Sequence, residues 1–192
     1  VPVLGDLMFS RWAYESMAIK QFRDNEYQKH FFYIEKKRSE SNYISSYLIP
    51  ELNNRVSRVV FSTDLNIKKR NFELIKTEVA KLNLLMPELA FTEIDNLTLQ
   101  SFNGEAVKRL QAQLDKMNRY HQKIQNRAIS LIDETVNQLS KQLGGRQELI
   151  DLKTKSHNDF LTTLVLNKQE VNKIIEEDNH FVQLINPIYK EP

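Results

Sequence analysis

Apolar residues recur three and four positions apart along most of this chain, the spacing that lines one face of an amphipathic helix. The longest run lies between Asn103 and Leu143. There Val107, Leu110, Leu114, Met117, His121, Ile124, Ala128 and Leu131 form a seam like that of a coiled coil. The stripe then drifts by one position to Ile132, Val136, Leu139 and Leu143, as a straight helix of 3.6 rather than 3.5 residues per turn requires. Gly144-Gly145 marks its end. About 40 residues of helix would be roughly 60 Å long at a rise of ~1.5 Å per residue.

Four further elements follow from the same pattern. Leu7 to Asn25 carries a broad apolar face of Phe9, Trp12, Ala13, Tyr14, Met17, Ala18, Ile19 and Phe22, with Ser10 placed to cap its main part. A second helix is expected from about Glu26 to Phe61, kinked or divided at Pro50, because proline lacks a backbone donor and disfavours helical geometry before it. Ser62-Thr63-Asp64 reads as a capping turn, followed by a third helix through Phe72, Ile75, Val79, Leu82 and Met86 that stops before Pro87. Glu88 to Phe102 lacks a clear period and reads as an extended connector with a short turn. A last helical region is expected from Gln147 to about Val182, packed antiparallel on the long helix through the Gly-Gly turn. The expected fold is all-α: an elongated antiparallel helical bundle with a long coiled-coil-like hairpin. Its parts are a terminal amphipathic helix in residues 1–25, a bundle in 26–186 and a return segment in 187–192.

Composition agrees with helices. Only four Gly and five Pro occur, which leaves little material for the turns of an all-β fold. Against 27 Lys and Arg stand 25 Asp and Glu, interleaved along the helices, so no basic footprint for nucleic acid is present. The absence of cysteine excludes disulfides, thiol nucleophiles and thiolate metal sites. No apolar run approaches the roughly 20 residues of a spanning helix, so the expectation is a soluble module. The start at Val1-Pro2-Val3 and the end at Lys190-Glu191-Pro192 read as those of a fragment.

Candidate chemistry is sparse. His30, His121, His157 and His180 lie far apart, and none stands in a ligand pattern such as H-E-x-x-H. His121 falls on the apolar seam, where a hydrogen-bonded core position explains it more simply than a pH-responsive one. Glu176-Glu177-Asp178 reads as a solvated helix face. There is no nucleophile elbow, and Leu143-Gly144-Gly145-Arg146 lacks the spacing of a phosphate-binding loop. Lys36-Lys37-Arg38 and Lys68-Lys69-Arg70 are basic clusters of the kind that touch anionic headgroups, though Glu35, Glu40 and Glu73 dilute them and solvated faces are the simpler account. The stretch around Trp12 has two readings: an interfacial helix with aromatic rings between apolar and wet layers, or a core helix of the bundle.

That stretch also carries a resemblance. Gly5-Asp6-Leu7-Met8-Phe9-Ser10-Arg11-Trp12-Ala13-Tyr14-Glu15-Ser16-Met17-Ala18 is similar to the G-D-x-M-x-S-R-W-A-Y-E-A-L-A segment of bacterial ABC transporters related to the eukaryotic G subfamily, where it follows the fifth membrane helix. Gln21-Phe22-Arg23-Asp24-Asn25-Glu26-Tyr27 resembles the family's Q-F-K-x-N-x-Y continuation, and Asn186 to Pro192 resembles the segment leading to the last membrane helix. Phe9 stands where a smaller residue or Pro is usual, and Ser16-Met17 where Ala-Leu is usual. The matching motifs cover about the first 27 and last seven residues.

The resemblance implies a non-catalytic domain on the extracytoplasmic, periplasmic side of the inner membrane, joined at both ends to its own transmembrane domain. It implies a second copy in a dimeric transporter, ATP hydrolysis in a separate nucleotide-binding domain, and no cofactor in this fragment. Phe9, Arg11, Trp12, Tyr14, Met17 and Phe22 are the expected membrane or permease contacts, and the hairpin is expected to gate the exit, meet its dimer mate or dock a periplasmic protein. Nucleic acid is not an expected partner. The alternatives are a ligand-sensing extracytoplasmic bundle, which needs a pocket between helices, and a soluble coiled-coil adaptor, which needs an exposed apolar patch. An enzyme comes last, because it would need clustered titratable residues.

Overall fold

The computed structural model describes residues 16–17, 19–158, 174–177 and 180–183. The fold is all-α in class. Its five labelled helices are α1 (Phe32–Tyr43), α2 (Ile49–Phe61), α3 (Leu65–Leu85), α4 (Gly104–Leu143) and α5 (Arg146–Ser156). Short 3-10 turns stand at Gln28–His30, Pro87–Leu89 and Thr92–Asn96, and a two-stranded antiparallel ribbon joins β1 (Ile174–Glu177) to β2 (His180–Gln183).

Local chemistry sets most boundaries. Asp64 caps α3, its carboxylate accepting from the backbone N–H groups of Asn66 and Ile67. Asn103 caps α4 in the same way, accepting from Glu105 and Ala106 at 3.1 Å each. Pro50 sits in the first turn of α2 and cannot donate to the carbonyl of Ser46. The chain answers with a π-turn over Ile44–Leu48, in which the N–H of Ile49 reaches back to Ile44. The expected division at Pro50 therefore takes the form of a wider turn just before it.

The chain divides into two compact units. The first comprises the described residues within Val1–Ser39 and Asn126–Val171, and has a small core in which Phe31, Leu139 and Leu149 are buried with Tyr27, Ile132 and Val136 against them. Tyr27 and Phe31 stack with ring centroids 4.8 Å apart.

The second unit takes Glu40–Gln125 and the ribbon. Its core draws Leu52, Val56 and Val59 from α2, Phe72, Ile75, Val79 and Leu82 from α3, Leu110, Leu114 and Met117 from the first half of α4, and Phe181 from β2. Each such side chain, fully buried, contributes about 1.5–3 kcal/mol of transfer free energy. The connector after α3 is docked by amides: Asn83 donates to the carbonyl of Phe91 at 3.1 Å and accepts from its N–H at 2.8 Å, while Gln113 donates to the carbonyl of Leu89.

One element departs from the expectation. The helix predicted from Gln147 to Val182 ends at Ser156, and Ile174–Glu177 and His180–Gln183 form the ribbon instead. The final turn of α5 runs into Ser156, His157 and Asn158, all weak helix formers, and His157 is already extended at φ −90 and ψ 137. In the ribbon, β-branched Ile174, Ile175 and Val182 favour strand, and the register pairs Glu177 with His180, leaving Asp178 and Asn179, turn-favouring residue types, between them.

Candidate functional site

The most elaborated polar constellation lies in the second unit and begins on α2. Arg55 follows Glu51 by one turn, and Nε meets Oε1 at 2.6 Å, the geometry of a favourable i,i+4 pair. Because Leu52, Val56 and Val59 turn the same helix toward the core, Arg55 is drawn along its edge and keeps only 13% of its side chain exposed. On α3, Asn71 donates to the carbonyl of Ile67 at 2.7 Å and presents its oxygen to Arg55 at 3.2 Å.

The ribbon completes the set. Glu176 of β1 accepts from Arg55 at 2.9 Å and from Arg70 at 2.7 Å, with 15% of its side chain exposed. The Arg55 guanidinium also stands 5.5 Å from the ring centroid of Phe181, within cation–π reach. On the same strand the N–H of Phe181 donates to Oε1 of Glu78 at 2.7 Å. Glu78, only 4% exposed, is held a second time by Lys81 at 2.7 Å. Burial, together with the charge of Glu78, pushes the Tyr43 phenol up to about 12.

Charged side chains of this depth usually announce chemistry or architecture. Here each carboxylate is matched by a cation or a backbone donor, as buried charge requires. The constellation fastens the ribbon to α2 and α3 through one charged cluster and one buried carboxylate. Glu176 thus corrects the reading of Glu176-Glu177-Asp178 as a solvated helix face: it lies on a strand, paired twice. Two sequence signals were present. Glu78 interrupts the inward stripe of Leu74, Ile75, Val79 and Leu82, and Arg55 borders that of Leu52, Val56 and Val59, positions where a charge needs a partner.

His121 is the second unusual group. It is 7% exposed on α4, with its ring in edge contact with Tyr120 at 5.5 Å, and neither ring nitrogen has a hydrogen-bond partner among the described residues. Burial pushes its pKa below the ordinary value. The seam position was legible in the sequence, but the expected hydrogen bond has no partner among the described residues.

Among the predicted membrane contacts, Phe9, Arg11, Trp12 and Tyr14 lie outside the described residues. Met17 stands 59% exposed on a helical stretch, and Phe22 is half-buried near its end. Gln21 of that stretch donates to the carbonyl of Ser156, the last residue of α5, at 2.8 Å. Elsewhere in the first unit, an open depression of about 370 Å³ is lined by Asp133, Val136, Asn137, Ser140 and Arg146, with a single apolar wall residue. Among the described residues no group of three His, Asp or Glu side chains is disposed to hold a metal ion. No described helix is long and apolar enough to cross a membrane.

No family model matches the chain, and neither a curated protein nor a solved structure matches it.

Proposed function

We propose that this chain is a non-catalytic extracytoplasmic domain of a bacterial ABC exporter, set between the last two membrane helices of a permease similar to the G subfamily. The observation that carries the reading is the Gly5 to Ala18 motif with its Gln21 to Tyr27 continuation. Within it, Met17 is open to solvent, available to a membrane surface or permease. The charged cluster around Arg55 and Glu176 couples a ribbon to a helix pair, which suits a domain whose work is to hold a shape. In this reading it gates the exit, meets its dimer mate or docks a periplasmic protein, while ATP is hydrolysed elsewhere.

Trp12 provides the test, because it is the sole tryptophan. Its emission should shift blue on lipid vesicles, and a folded Trp12→Glu chain should fail to bind. Emission that is already blue in buffer and indifferent to lipid would place Trp12 in a core and remove the membrane contact. In cells, the complete polypeptide should fractionate with the inner membrane and expose this domain to protease added from the periplasmic side.

A second reading, a soluble adaptor, draws on one observation: Val60, Phe61, Leu65 and Ile67 are all exposed at the α2–α3 turn.

A further inference from the structure

We propose that the α2–α3 turn is a binding tip for an anionic lipid surface, separate from the Trp12 stretch and independent of the transporter reading. The argument begins with exposure. Phe61, the last residue of α2, is 81% exposed, and Val60, Leu65 and Ile67 flank it at 43%, 56% and 45%. These four large apolar side chains flank a turn of three residues, Ser62-Thr63-Asp64, between two helices whose other faces fill the core.

Charge sits directly behind them. Arg58 occupies the last turn of α2, and Lys68, Lys69 and Arg70 follow in the second turn of α3. Arg70 is shared with Glu176, whereas Arg58, Lys68 and Lys69 have no ion pair among the described residues. The single carboxylate of the turn, Asp64, is engaged by the N–H groups of Asn66 and Ile67. At ~1.5 Å of rise per residue, Arg58 stands about 4.5 Å behind Phe61 along α2, and Lys68 about 4.5 Å behind Leu65 along α3.

That layering, apolar outermost and cationic one turn behind, matches a leaflet edge, where apolar groups sink ~5–10 Å and Lys or Arg stays among anionic headgroups. It fits a second copy poorly, since like cations would meet. It also fits an acidic protein less well, since four large exposed apolar side chains stand ahead of the cations. Each cation at an anionic surface strengthens binding by about 5-fold.

The chain contains no cysteine, so Thr63→Cys carries a single polarity-sensitive fluorophore at the tip. In a Trp12→Glu background, which silences the other candidate contact, the probe should shift blue on vesicles of phosphatidylcholine mixed with phosphatidylglycerol. It should stay unchanged on phosphatidylcholine alone. Lys68→Ala with Lys69→Ala should weaken binding roughly 30-fold, and Phe61→Asp should abolish the shift while circular dichroism remains that of the parent. A silent probe on mixed vesicles overturns the proposal, as does an equal response to neutral vesicles or a response that survives Phe61→Asp. A probe that responds to polyglutamate and not to vesicles assigns the tip to an acidic protein and equally overturns it. The Trp12 measurement on the unlabelled chain reports separately on the transporter reading.

Discussion

Replacing His121 by leucine should stabilise the protein, and by more at acid pH than at neutral pH. The imidazole is 7% exposed, and both of its nitrogens lack a partner among the described residues. An unsatisfied buried polar group costs about 1–3 kcal/mol. Leucine has a similar volume and no polar atom, so His121→Leu should gain about 1–3 kcal/mol at pH 7.5, or roughly 2–12 °C in melting temperature for a chain of this size.

The pH term has a definite sign. Burial holds the folded pKa of His121 below its ordinary 6.5, so the unfolded chain binds the proton first. The stability associated with neutral His121 is complete above about pH 6.5 and is lost as pH falls toward the folded pKa. Between pH 7.5 and 5.5 the wild type should lose up to about 1.4 kcal/mol relative to the leucine variant. Carboxylates common to both proteins cancel in that difference. Urea unfolding followed by circular dichroism at the two pH values measures it, with an unchanged slope showing that stability alone has moved. A leucine variant that is less stable than wild type, or whose advantage is the same at both pH values, would refute the account of His121 as an unpartnered neutral imidazole.

Three further outcomes are expected. Arg55→Ala should cost about 2–3 kcal/mol, below the 3–5 typical of breaking a buried pair because Arg70 still serves Glu176; a double-mutant cycle with Glu176→Ala should give a coupling of about 1–3 kcal/mol, and a value under about 0.5 would show that the ribbon is held by something else. The Tyr43 phenol should ionise near 12, above its ordinary 10; its stabilising contribution is therefore whole below pH 10 and lost as pH rises toward 12, which phenolate absorbance compared with Tyr43→Phe would follow. Gly144 has φ +96 with nothing within 4 Å of where a Cβ would stand, so Gly144→Ala should cost about 1–2 kcal/mol from backbone strain alone, and D-alanine at the same position should recover it in a semisynthetic chain.

Where local chemistry decides, the sequence was sufficient. Asp64 and Pro87 bracket α3, Asn103 and Gly144-Gly145 bracket α4, and Pro50 disturbs the chain at Ile44–Leu48, because a cap, a missing N–H or a positive φ acts within one turn of itself. The same locality makes the all-α class legible, and it places Leu110, Leu114, Met117 and His121 on one buried seam.

What the pattern missed lies between residues far apart in the chain. Glu176 is an ordinary surface acid until β1 carries it to Arg55 and Arg70, and Glu78 is an interruption in a helical stripe until the N–H of Phe181 arrives from 103 positions away. The ribbon itself overrode a helical reading, since Ile174 to Gln183 has apolar spacings that serve either structure and only the surface it packs on decides between them. Sequence by itself determined the ends of α3 and α4 and the apolar faces those two helices would bury, but not the end of α5 at Ser156. Tertiary structure decided which charges those faces would carry inward, because a desolvated charge is tolerated only where another part of the chain supplies its partner.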